Sequence, residues 1–140
     1  MLYPVISIRQ PWAALILAKQ KDVENRSWRL PEAYTGVPVL VHASKRPATS
    51  PEDINRELTK RGMKPLPLAV RQLTFTGCIL GAVIFHGYWP NDGQPFSEWC
   101  DRDAGYWWMI RKARFFFRPL HVKGHLGFWR YNYPKDVGLL

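Results

Sequence analysis

Apolar residues in this chain come in short runs cut by proline and glycine, and only two stretches, both in the first half, carry a helical period. This pattern restricts the fold most. Short apolar runs between turn formers suit strands, whereas helical bundles need longer periodic segments. Residues 5–8 (Val5, Ile6, Ser7, Ile8) predict a first strand. A helix follows Gln10, with Pro11 at its first position and Trp12, Leu15 and Ile16 on one face, ending near residues 19–20. Residues 22–28 read as extended, Pro31 and Gly36 bracket a turn, and residues 38–42 form a strand. Ser50-Pro51-Glu52-Asp53 is a helix start, with a serine cap, proline in the first turn and acids beside it; Lys60 and Gly62 mark the stop.

The second half predicts strands only. Residues 78–85 are the most apolar, residues 87–96 read as a loop, and residues 106–110, 115–122 and 126–131 give three more strands. Pro65 and Pro67 mark another loop, and the C-terminal tail is expected to fray. The fold class expected is α+β, mainly β. It is a mixed sheet or small, partly open β-barrel with flanking helices, in one domain over residues 1–140.

The formal charge of +9 makes a polyanion the default partner. Its excess is concentrated. Arg111, Lys112, Arg114, Arg118, Lys123 and Arg130 lie in a stretch without an acid, just after Asp92, Glu98, Asp101 and Asp103. Seven tryptophans lie among such cations, and bases stack on rings while cations meet phosphates. The alternative reading is a solubilising surface around a ring-filled core. No signal peptide, membrane span, basic amphipathic helix or lipidation signal is visible, so no membrane partner is expected. Cys78 and Cys100 form no disulfide or metal pattern, which points to a reducing compartment, the cytoplasm. His86, His121 and His125 have no metal-ligand spacing, so neither metal nor cofactor is expected.

The most informative stretch is Ser7-Ile8-Arg9-Gln10-Pro11-Trp12-Ala13, followed by Lys21-Asp22-Val23-Glu24-Asn25-Arg26-Ser27-Trp28. It resembles the opening of ASCH-domain proteins, whose hallmark is Gly-x-Lys-x-x-Glu-x-Arg; Lys21, Glu24 and Arg26 match, and Lys19 stands at the glycine position. Further blocks follow in order: residues 39–45, 80–83, 105–108, 118–120 and 123–129. The resemblance implies a PUA-like fold, a partly open barrel related to RNA binders, with the Lys-Glu-Arg motif at the edge of a ligand cleft between the barrel and the first helix. The family is also similar to amidohydrolases that deacylate N4-acetylcytidine through a lysine, a threonine and a glutamate. Here Glu24 stands where that threonine aligns. Another member is described as a ribonuclease.

The residues themselves allow a site. Glu24 and Arg26 share one face of a strand, and Lys21 joins them only if the chain turns after the helix. Together, Arg26 orients Glu24 or contacts a phosphate or base edge. Glu24 accepts from a base amino group or acts as a base, and Lys21, desolvated beside a cation, activates water. The plain alternative is an exposed ion pair. Lys21 and Glu24 are thus the candidate catalytic pair. Arg9, Gln10, Trp12, Arg26, Trp28, His42, Ser44, Lys45, Arg111, Arg118 and Lys123 are candidate ligand contacts, with His42, Ser44 and Lys45 expected on the other wall of the same basic cleft. The expected partner is single-stranded RNA or a modified nucleoside, with DNA as the other polymer. The readings to separate are a nucleic-acid or nucleobase-binding module, a small hydrolase or ribonuclease, and a protein-interaction module.

Overall fold

The computed structural model describes residues 1–65 and 71–138. Its elements are β1 (Leu2–Ile8), α1 (Trp12–Leu17), β2 (Val23–Arg26), β3 (Pro38–Ala43), α2 (Pro51–Lys60), β4 (Cys78–Pro90), β5 (Tyr106–His121) and β6 (Phe128–Asn132). The strands form one mixed sheet in the order β2-β5-β4-β3-β1-β6. Only β1 and β3 are parallel. A parallel pair requires a crossover, and α1 with β2 supplies it. The edge strands do not pair, but the sheet curls until they nearly meet. Trp28, just past β2, packs edge-on against Phe128 of β6 with ring centroids 5.7 Å apart. Arg26 of β2 donates to the Ser7 carbonyl of β1 at 2.8 Å. This curled, open sheet with two short helices is the α+β, mainly β architecture expected, and it agrees with a PUA-like, partly open barrel.

Helix α1 packs into the curl of the sheet. All of its residues except Trp12 are buried, as a helix apolar on every side must be. Its Leu17 and Ile16 join Ile6, Val41, Val83, Phe85 and Trp108 in the main core. Gly81 of β4 is required here, because a Cβ would collide with the Arg114 carbonyl and press on Leu17. Helix α2 begins as predicted, with Ser50 Oγ accepting from the Asp53 amide at 3.0 Å. It lays Ile54 and Leu58 against Ala14 and Leu15 of α1.

Several expectations are corrected. The loop predicted over residues 87–96 begins only after Pro90; Gly87, Tyr88, Trp89 and Pro90 pair with Met109, Trp108, Trp107 and Tyr106. The glycine is absorbed by a register shift and the proline sits at the strand end, where a missing donor is tolerated. The strands predicted over residues 106–110 and 115–122 are one strand, because Lys112, Ala113 and Arg114 keep pairing with Ile84, Val83 and Ala82 while their charges face out. The tail does not fray through residue 138. The Val137 amide donates to Tyr3 Oη at 2.8 Å, and Arg114 donates to the Val137 carbonyl at 2.7 Å. Helix α1 is also shorter than expected, and Pro11 is its N-cap rather than its first residue. Pro67 lies outside the described residues. No helix among the described residues is long and apolar enough to cross a membrane.

Candidate functional site

The site begins at the end of α1. Lys19 adopts φ +65°, the left-handed conformation. Its amide donates to Ile16 O at 3.0 Å, and the Gln20 amide donates to Leu15 O at 3.0 Å. This pair of bonds is a Schellman cap, whose left-handed position normally holds glycine. The hallmark glycine of the ASCH pattern therefore maps onto a position with a backbone reason for glycine, occupied here by lysine. The cap reverses the chain and brings Lys21 to the start of β2, supplying the turn on which convergence depended.

Lys21, Glu24 and Arg26 do converge. Glu24 Oε2 accepts from Arg26 Nη2 at 2.9 Å and from its Nε at 3.3 Å. Glu24 Oε1 lies 3.6 Å from Lys21 Nζ, with side-chain exposures of 5% for Lys21 and 7% for Glu24. Lys21 also donates to the Val23 carbonyl at 2.5 Å. The exposed ion pair of the plain alternative is thus replaced by two cations on one carboxylate, with Lys21 and Glu24 buried and Arg26 partly exposed. Burial pushes the Lys21 ammonium below its ordinary range and Arg26 adds to that, while Glu24 and Asp22 oppose it. Arg26 is held in place by Ser7 O and lies over the Trp28 and Trp108 rings. Glu24 Oε2 is taken by Arg26, while Oε1 keeps acceptor capacity toward the cleft.

A cleft of about 910 Å³ opens over Lys21 and Glu24. Trp12 of α1 and Trp99 of the 91–105 loop line it, edge to face with centroids 6.5 Å apart. Asn25 holds that loop, donating to Trp99 O at 3.0 Å and accepting from the Asp101 amide at 2.9 Å. Asp22 accepts from Ser97 Oγ at 2.5 Å. The far wall is α2, through Asp53, Glu57 and the adjacent Arg61. The lining carries Lys21, Arg61 and Arg102 against Glu24, Asp53, Glu57 and Asp101, so the expected basic cleft is corrected to one of mixed charge without a cationic excess.

The other sequence candidates scatter. Trp12 reaches the cleft, with Lys21 Nζ 5.7 Å from its ring centroid. Gln10 is 1% exposed and committed to the backbone. It donates to Gln72 O at 2.6 Å and to Phe75 O at 2.9 Å, and accepts from the Ala14 amide at 3.1 Å. Trp28 packs on Trp108 and Phe128 instead of facing the cleft. Arg9 is exposed. Arg111 lines a neighbouring depression with Lys19, Lys112 and Lys21 itself, and Arg118 lies over exposed Phe117. His42, Ser44, Lys45 and Lys123 are not the other wall of the first cleft; they line a second one. Among the described residues, no three His, Cys, Asp or Glu side chains gather as metal ligands would. Trp99, Asn25, Asp53 and Glu57 were missed by sequence reasoning. For Trp99 the only signal was the acidic, aromatic stretch before β5, and nothing in it points to Lys21.

No protein-family model matches the sequence, and no curated protein matches it. Among solved structures, the chain is similar to the crystal structure of a serine-to-alanine mutant of the ZmASCH protein from Zymomonas mobilis. The two are 16% identical with a TM-score of 0.49, aligned over 85% of this chain and 73% of that one.

Proposed function

We propose that the protein binds a nucleobase, carried by RNA or by a modified nucleoside, in the cleft above Lys21 and Glu24. The observation that carries this reading is a buried Lys21–Glu24 pair, held from behind by partly exposed Arg26, at the base of a mixed-charge cleft with two tryptophans. A planar, uncharged ring stacks on one indole and meets the edge of the other. Glu24 Oε1 accepts from an exocyclic amino group such as that of cytosine, and Lys21 donates to a ring carbonyl. A polyanionic strand does not suit the lining itself, because four carboxylates face three cations there. The test is titration of cytidine, uridine and N4-acetylcytidine, followed by tryptophan fluorescence. Quenching that disappears in Trp99→Ala supports the reading. No binding of any nucleoside or of single-stranded RNA at millimolar concentration sinks it.

The depressed pKa of Lys21 favours one further reading, in which the bound nucleoside is hydrolysed. A lysine whose pKa burial lowers gives up its proton more readily than a solvated one; in its neutral form it is a general base, and a water between Lys21 and an N4-acyl carbon is then the nucleophile. Release of acetate from N4-acetylcytidine, lost in Lys21→Met with nucleoside binding retained, establishes it. Binding without turnover leaves the protein a binding module.

A further inference from the structure

The second cleft has a chemistry the first does not. It encloses about 860 Å³, and its ionisable lining groups are His42, Lys45, His121, Lys123 and His125, with no carboxylate. Ser44 and Thr76 add hydroxyls to the same lining. It is assembled from the end of β3, the segment before β4, the end of β5 and the loop before β6. Cations from such separate parts of the chain repel one another, and nothing among the lining residues neutralises them.

The loop carrying Lys123 and His125 is also closely fitted. His42 is 2% exposed, its Nε2 2.7 Å from the Val122 carbonyl and its ring edge-on to Trp129. Gly124 lies directly on that ring, and a Cβ there would collide with it. His42 Nδ1 beneath the loop is buried and has no hydrogen-bond partner. Ser7 Oγ, accepting from Trp129 Nε1 at 3.0 Å, donates to the His125 carbonyl at 2.5 Å and ties the other side of the loop to β1. A concave, acid-free lining with Lys45 and Lys123 beside a seated loop suits a tetrahedral oxyanion. Leu126, 98% exposed on the rim, offers apolar surface that a sugar or base covers and a bare ion does not.

We propose that this second cleft binds the phosphate group of a nucleotide or of a nucleic-acid strand, with Lys45 and Lys123 as its charged contacts. The site stands whether or not the first cleft holds a base. Its test is amide mapping by NMR with cytidine, 5′-CMP, inorganic phosphate and a single-stranded RNA octamer at low salt. The 5′-CMP and RNA probes are expected to shift Ser44, Lys45, Lys123 and Gly124, and cytidine is not. Lys45→Ala/Lys123→Ala, at exposed positions, is expected to weaken 5′-CMP about tenfold or more, while cytidine binding is unchanged. Equal binding of inorganic phosphate upholds the site and assigns the free anion as its source; tighter 5′-CMP assigns a nucleotide. Phosphate probes that leave these amides unmoved overturn the proposal. So does an equal loss in Lys60→Ala/Lys135→Ala, which removes the same charge elsewhere. Failure of cytidine alone bears on the first cleft and not on this one.

Discussion

Replacing Glu24 by glutamine removes the one carboxylate shared by Lys21 and Arg26 while keeping its shape. At 3.6 Å the Lys21–Glu24 attraction alone amounts to about 4–5 kcal/mol at an effective dielectric near 20. Removing one partner of a buried pair leaves the other charge uncompensated and costs roughly 3–5 kcal/mol. With an m-value of about 1–3 kcal/mol/M, Glu24→Gln is expected to lower the urea midpoint by about 1–5 M near pH 7. The loss should depend on pH with a definite sign. Burial already holds the folded Lys21 below the 10.5 of the unfolded chain, so the native state binds fewer protons in that interval and stability rises with pH across it. Loss of Glu24 deepens the depression and widens the interval downward. The deficit of Glu24→Gln relative to the parent should therefore shrink from pH 7 to pH 10, as the folded Lys21 loses its proton in parent and variant alike. Lys21→Met should cost less, because Arg26 still neutralises Glu24 at 2.9 Å. Parallel urea curves at the two pH values decide. A loss in Glu24→Gln below about 1 kcal/mol, or one equal at both pH values, refutes the buried-pair argument.

Lys19→Gly relieves a left-handed non-glycine residue and should stabilise by about 0.5–1 kcal/mol; Lys19→Ala, which keeps the Cβ, should not, and thermal melts of the two separate strain from charge. Gly124→Ala drives a methyl into the His42 ring and should cost about 1–3 kcal/mol in chemical denaturation. Burial holds His42 below 6.5, so the unfolded chain takes up its proton first on acidification. Stability should fall as pH drops from 6.5 to the folded pKa, and His42→Phe should flatten that slope in pH-dependent melts. Trp99→Ala should weaken nucleoside binding by about 1–3 kcal/mol in calorimetry without a matching loss of stability, since Trp99 is only half-buried.

Local chemistry explains the parts of the fold that the chain announces. The capped start of α2, the apolar run of β4 and the helix-to-strand passage at residues 19–23 are each decided by neighbours in sequence, so they can be read there. The Lys-Glu-Arg spacing likewise showed that Glu24 and Arg26 share a face. Burial was not legible: an exposed pair and a buried one have the same spacing, and what separates them is coverage by α1, α2 and the 91–105 loop. Pairing overrode punctuation in the same way at Gly87 and Pro90, where the partner strand β5 supplied the bonds that keep the chain extended.

The grouping of the remaining polar residues belonged wholly to the tertiary structure. His42 and Lys45 stand near Lys21 and Glu24 in sequence, yet they face Lys123 and His125 across a different cleft. Local patterning was enough to place the cations, the rings and the Lys-Glu-Arg motif along the chain. Which of them share a cavity was decided by the parallel pairing of β1 with β3 and the antiparallel return of β4 and β5. Those contacts join residues far apart in the chain, and no local rule records them.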